Sequence, residues 1–328
     1  MKHVQQARLE IVLAALLFST GGAAIKGTGF SGLHGGIQVA CLRSGVAAIA
    51  IALMLPRSRR AWTWRTFVVG VAYAATLILF VAANKLTTSA SAIFLQDTAP
   101  LYVLLAGPLL LHERIRRVDL IFMAVMMAGL SLFIISPGPA VATAPHPLEG
   151  NILALISGVG WAATVIGLRW LARGEGGSDA AAGATVAGNL IAFLACLPLA
   201  VPVHGDGVDW VLIVYLGVVQ IGLAYVFLTK GVRYVTAFEV SLLLFVEPAL
   251  NPVWTWLIHG EKPSPLSILG GVLILGATAV KICLDWKLTP RSVAAAASSS
   301  EVSEVSGVAE AAPGARGSPG SAGSPGGG

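Results

Sequence analysis

Residues 246–262 read VEPALNPVWTWLIHGEK, and residues 98–114 read TAPLYVLLAGPLLLHER. Each is an apolar run with an early proline, Pro248 or Pro100, that closes on a glutamate and a basic residue, Glu261-Lys262 or Glu113-Arg114. Proline to glutamate is 13 residues in both, so the two stretches align at an offset of 148. A second pair aligns in the same order. Gly21-Gly22-Ala23-Ala24 matches Gly160-Trp161-Ala162-Ala163 at an offset of 139. The chain therefore reads as two related halves, each opening on small residues.

The rest of the chain suits the apolar character of these runs. Of 328 residues, 56% are hydrophobic and 11% charged, with a mean hydropathy of +0.81. A soluble domain carries about 25% charged residues, so a water-soluble enzyme, a disordered protein and a coiled coil are excluded. Gly and Ala are abundant, as suits helices that pack closely in lipid. A spanning helix needs about 20 apolar residues. Ten stretches qualify, at 9–27, 34–55, 65–84, 88–111, 118–136, 149–170, 181–203, 210–230, 236–258 and 265–286. The expected fold is an all-α membrane protein of ten transmembrane helices.

The divisions follow: a cytoplasmic N-terminus at 1–8, a first five-helix repeat at 9–137, a second at 149–287, and a disordered cytoplasmic tail at 292–328. That tail is Ala, Ser, Gly and Pro with scattered Glu, a composition that cannot bury enough apolar area to fold. The first stretch does not read as a cleaved signal peptide, because its apolar run continues through Ser19-Thr20-Gly21-Gly22 into the next span. Five spans per half is an odd number, so the second half enters the membrane from the opposite face. Inverted repeats place a substrate site near the midplane at their interface.

Lys and Arg set the orientation. With both termini inside, the cytoplasmic side holds Arg57, Arg59, Arg60, Arg65, Arg114, Arg116 and Arg117 among others, and the outside only Lys26, Lys85 and Lys262. This is the positive-inside pattern, and it accounts for the net charge of +5 without nucleic acid. Cys41, Cys196 and Cys283 lie far apart in apolar stretches and read as filler.

The ten spans, the duplicated halves and the Pro100–Arg114 and Pro248–Lys262 runs resemble the drug/metabolite transporter superfamily, EamA type. The chain is also similar to bacterial aromatic amino acid exporters of that group. The resemblance covers residues 9–286. It implies a ten-helix basket in the inner membrane whose third, fourth, eighth and ninth helices line a central cavity, and export or exchange of small metabolites. One departure stands out: Gly22 occupies the place that Trp161 holds in the second half.

Ionisable groups inside a bilayer are costly and each needs a reason. Asp97 and Glu247 fall mid-span on partner helices, where either would hold a substrate ammonium or a proton, or lock the bundle. Asn251 lies one turn from Glu247 on the same face. Gln96, Asn189 and Gln220 read as interhelical glue. Tyr73, Leu77 and Phe80 share one face of span three, with Tyr225 the repeat partner of Leu77. Phe94, Asp97 and Leu101 share a face of span four. With Trp161 these residues would form an apolar cup holding one carboxylate, able to stack a ring and pair an ammonium; packed or lipid-facing aromatics are the alternative. Pro100 and Pro248 are candidate hinges or fixed kinks. Arg43, inside span two, needs a carboxylate or carbonyl partner. Glu113 and Glu261 end their helices and would pair with Arg or Lys there.

No phosphate-binding Gly loop, Ser/His/Asp signature or metal-ligand spacing is present in the sequence, and His112-Glu113 is not a zinc motif because position 116 is Arg. The expectation is a non-enzymatic secondary transporter without cofactor, whose partners are a small-molecule substrate and the lipid bilayer, with the oligomeric state open. Carriage of lipophilic cations or another metabolite is the nearest alternative, and a polytopic membrane enzyme a distant one.

Overall fold

The structure is a computed structural model that describes residues 2–60, 62–99, 101, 102, 105, 117–136, 138–172, 177–231, 243, 244 and 246–288. Contacts divide the chain into a helical body, Met1–Ile282, and a second unit, Cys283–Gly328. The expected tail at 292–328 and the candidate hinge Pro100 lie outside the described residues.

The helices are α1 (Lys2–Ser19), α2 (Gly21–Gly27), α3 (Gly32–Met54), α4 (Trp64–Leu86), α5 (Ser89–Gln96), α6 (Arg117–Ile135), α7 (Pro147–Ala172), α8 (Gly177–Ala200), α9 (Gly207–Val214), α10 (Ala224–Gly231), α11 (Val246–His259) and α12 (Pro265–Leu288). A π-helical segment, Tyr215–Leu223, joins α9 to α10. No strand occurs among the described residues. Among the described residues, seven stretches are long and apolar enough to cross a membrane: Gln5–Gly27, Gly32–Met54, Trp64–Leu86, Arg117–Ile135, Pro147–Leu168, Asp179–Ala200 and Gly207–Leu228. They coincide with seven of the ten expected spans. The fourth and ninth expected spans fall partly on residues outside the description, and the tenth is met by a shorter apolar stretch, Pro265–Lys281.

Local chemistry starts these helices where the sequence changes character. Thr63 caps α4, exchanging side-chain and backbone hydrogen bonds with Thr66. Asp206 does the same for α9 with Asp209. Each box satisfies amide groups that the first turn leaves without partners. The outward residues are themselves apolar, among them Ile49, Leu53, Phe67, Ile121, Leu257 and Val272. Such a surface is unfavourable in water and matched to lipid tails.

Packing repeats between the halves. α1 lies on α11 as α7 lies on α5, and α1 lies on α10 as α7 lies on α4. α3 meets the π segment as α8 meets α4, and α3 and α8 pack on each other. Exchanging the halves leaves this set of contacts unchanged. Glycine permits two of the equivalent approaches. A Cβ on Gly70 would sit 3.1 Å from Ala187 Cβ, and one on Gly217 would sit 2.6 Å from Val46 Cβ. Without a hydrophobic drive between helices in lipid, such close backbone contact supplies the packing energy.

Alternate joins meet at one end of the body. Lys85 donates to Thr28 O at 2.9 Å, His146 N to Leu86 O at 3.0 Å, Gly29 N to Asp209 Oδ1 at 2.6 Å, and Ser264 Oγ to Ser136 O at 3.5 Å. These bonds link the joins that follow the first, third, fifth, seventh and ninth expected spans. Elsewhere Lys281 of α12 pairs with Asp119 of α6 at 3.0 Å, which gives both apolar helices a matched charge.

Candidate functional site

The centre of the body is polar and aromatic. Tyr73 of α4 and Tyr225 of α10 stand edge to face, with ring centroids 5.9 Å apart and planes at 77°. Phe18 of α1 stacks edge-on to the other side of Tyr225 at 5.5 Å. Trp161 of α7 packs into the same cluster with Leu77 and Val186. The Tyr73 hydroxyl lies against Tyr225 and Asn189, and the Arg43 guanidinium lies within electrostatic reach of both tyrosines. Glu247 of α11 is in turn within reach of Tyr225, and Asp97 within reach of Glu247. Electrostatic reach thus links Arg43, Tyr73, Tyr225, Glu247 and Asp97 into one run, drawn from both halves, with the tyrosine pair in ring contact.

Breaks in helix geometry surround this run. α5 ends at Gln96, Asp97 caps it, and residues 97 and 98 form a turn before helix resumes at Ala99. Span one breaks at Thr20, whose hydroxyl shares a 2.8 Å hydrogen bond with Tyr215 at the start of the π segment. Gln220 in that segment donates to Phe18 O at 3.3 Å. Discontinuous helices and π turns recur at binding sites, because they free backbone groups and re-aim side chains. Pro248 is buried in the first turn of α11, and Pro252 lies inside that helix.

The expected site residues therefore divide. Tyr73, Tyr225, Trp161, Glu247 and Asp97 converge. Phe94 does not join them: its ring packs 6.3 Å from Phe133 and fills the space beside Gly271. Phe80 lies between the two largest apolar clusters. Asn251 is 1% exposed and faces Gly22 across the α2–α11 contact, beside Ser89. Gln96 bridges two helices, donating to Ser157 of α7 at 2.9 Å, whereas Asn189 donates within α8 to Thr185 O at 2.9 Å.

One side of α11 was not foreseen. Trp254 Nε1 donates to Ser19 Oγ at 3.0 Å, and His259 Nε2 lies 2.8 Å from Ala23 O. With Asn251 they give α11 polar contacts along the broken first span. Glu261 ends these contacts in a 2.9 Å ion pair with Lys26. Among the described residues, no three His, Cys, Asp or Glu side chains converge as metal ligands.

The profile of the EamA-like transporter family matches residues 7–135 and again 148–282. The chain belongs to the EamA-like transporter family. Among relatives of this transporter, the pseudopaline exporter CntI of Pseudomonas aeruginosa is 27% identical over 271 residues, covering 81% of this chain and 92% of the relative. The uncharacterized transporter YdfC of Bacillus subtilis is 44% identical over 64 residues, 20% of this chain and 21% of that one. A crystal structure at 23% identity shares the fold with a TM-score of 0.57, covering 87% of this chain and 99% of that one. This EamA-like transporter is thus a multi-span membrane protein of a transporter family, related to an exporter.

Proposed function

We propose that this EamA-like transporter is a secondary exporter of small amphipathic metabolites, aromatic and other neutral amino acids foremost. Ten spans in two inverted five-helix halves rock about the Tyr73–Tyr225 interior, giving alternating access from a bacterial cytoplasmic membrane with both termini inside. Asp97 and Glu247 receive the ammonium group; Tyr73, Tyr225 and Trp161 receive the ring. Phe80, Phe94 and Asn251 shape the walls, and Pro100 and Pro248 serve as bending points. The observation that carries this reading is the run of polar and aromatic side chains drawn from both halves, in a body several of whose helix contacts have counterparts when the halves are exchanged. A receptor or an anchor has no need of that equivalence.

A second reading is favoured by the relative that matches most of the chain: the cargo resembles pseudopaline. Counterflow in proteoliposomes tests both. Vesicles loaded with phenylalanine, tryptophan, alanine, a lipophilic cation or pseudopaline are offered labelled substrate outside, with and without a proton gradient. Accumulation driven by phenylalanine or tryptophan supports the first reading, and by pseudopaline alone the second. Accumulation with the cation alone overturns both.

A further inference from the structure

Arg43 sits near the middle of α3, a helix of 23 residues with no other charged side chain. It is 2% exposed and belongs to the largest fully buried side chains of the protein. Tyr73 and Tyr225, buried at 3% and 8% exposure, lie within its electrostatic reach. Its Nε has no acceptor, and no ion pair forms at Arg43 among the described residues. Lys26 and Lys281 differ, and Lys85, also buried, rests on a backbone carbonyl, Thr28 O, at 2.9 Å. Lys26 has Glu261 and two carbonyls, and Lys281 has Asp119. A buried cation left without its anion is strongly unfavourable, and polar groups sealed from water are otherwise almost always satisfied. Arg43 thus lacks a ligand of opposite charge, and its planar fork matches a carboxylate.

At the other end of the same run the vacancy has the opposite sense. Asp97 Oδ2 is a buried acceptor without a donor. Arg43 Nε lacks an acceptor and Asp97 Oδ2 a donor, and the electrostatic links between the two residues run through the tyrosine pair and Glu247.

We propose that Arg43 is the carboxylate-binding residue of this transporter, and that its substrates carry at least one carboxylate together with an amine. The inference rests on the transport reading and narrows it: a zwitterion satisfies both ends, whereas a lipophilic cation leaves Arg43 bare. Tyr73 and Tyr225 come from helices that the exchange of halves relates. Their edge-to-face contact closes over the guanidinium, and parting of the halves opens it.

The test uses the full-length protein in nanodiscs, with binding followed by thermal stability and tryptophan fluorescence. The probes are phenylalanine, phenethylamine (no carboxylate), phenylpropionate (no amine) and pseudopaline. Wild type is expected to bind phenylalanine at least tenfold more tightly than phenethylamine, one decade being about 1.4 kcal/mol. Arg43→Gln is expected to lose at least tenfold for phenylalanine and to leave phenethylamine within twofold, with Arg43→Lys intermediate. Equal losses for both probes would mean a structural arginine and would overturn the proposal, as would wild type that prefers phenethylamine or binds no carboxylate in the set. Should Arg43→Gln fail to fold, the wild-type preference and Arg43→Lys decide. Binding of phenylpropionate or pseudopaline in an Arg43-dependent way without binding of phenylalanine upholds Arg43 and removes the amino-acid reading.

Discussion

Lys26 Nζ stands 2.9 Å from Glu261 Oε2, with side chains 2% and 1% exposed, and the pair ties the end of the first span to the end of α11. Each partner holds a third element as well. Glu261 Oε1 accepts from Ser89 N at 2.6 Å, at the start of α5, where the helix favours a negative charge. Lys26 donates to Thr87 O at 2.8 Å and to Thr143 O. Three joins are therefore locked by two side chains.

Removing one member of a buried pair costs about 3–5 kcal/mol, because the other charge is left bare. The losses here are unequal. Glu261→Gln keeps an acceptor for Ser89 N and leaves Lys26 on two carbonyls, whereas Lys26→Met strips every bond from Glu261 but one. Lys26→Met is expected to lower thermal stability more than Glu261→Gln, and the double variant less than the two added together. Melting of the purified variants in detergent decides it; additive losses would show that the two charges are independent.

Gly22 shows why one sequence departure between the halves exists. A Cβ at Gly22 would run into Ser89 Oγ and Asn251 Oδ1, so nothing the size of the Trp161 indole fits there. Overpacking a tight contact costs about 1–3 kcal/mol. Gly22→Ala is expected to destabilise the protein by that amount and to slow transport. Gly276→Ala, where a Cβ meets nothing within 4 Å, is expected to be neutral or slightly stabilising. Equal melting temperatures for both variants would refute the steric account.

What the sequence carried and what it withheld have physical causes. Helix positions were legible because apolar runs of spanning length admit few alternatives in lipid. Asp97 and Phe94 were expected on one face by helical spacing, but that inference assumes an unbroken helix. The chain ends α5 at Gln96 and turns at Asp97, so the carboxyl comes within electrostatic reach of Glu247 while the Phe94 ring packs on Phe133. Arg43 was visible as an isolated charge. Its neighbours were not, since Tyr73 reaches it through the packing of α3 on α4 and Tyr225 from the other half of the chain.

Topology is open to direct labelling. The joins that gather at the Lys26–Glu261 end include residues 138–146, and Ala142 there is exposed. Arg57 is exposed in the join between α3 and α4. In a background lacking Cys283, which is exposed, Ala142→Cys is expected to react with an impermeant maleimide in intact cells, and Arg57→Cys only after the cells are opened. The opposite pattern would reverse the orientation read from the basic residues.

Substrate profiles separate the ring contacts from the charge contacts. Tyr73 presses its ring on Tyr225, and aromatic pairs contribute about 0.5–1.5 kcal/mol beyond burial. Tyr73→Ala is therefore expected to weaken phenylalanine and tryptophan by about tenfold or less, since 1.4 kcal/mol is one decade, and to leave alanine nearly unchanged. Tyr73→Phe keeps the ring and is expected to keep that discrimination. Asp97→Asn removes a charge and keeps the shape, so it is expected to weaken every ammonium-bearing substrate alike, whatever its side chain. The ratio of phenylalanine to alanine uptake in proteoliposomes is the measurement. It falls for Tyr73→Ala and stays constant for Asp97→Asn if the two residues act on different parts of one substrate. Wild-type rates for all three amino acids in both variants would mean that the substrate path runs elsewhere, along the faces of α5 and α11 that carry Gln96, Glu247 and Asn251.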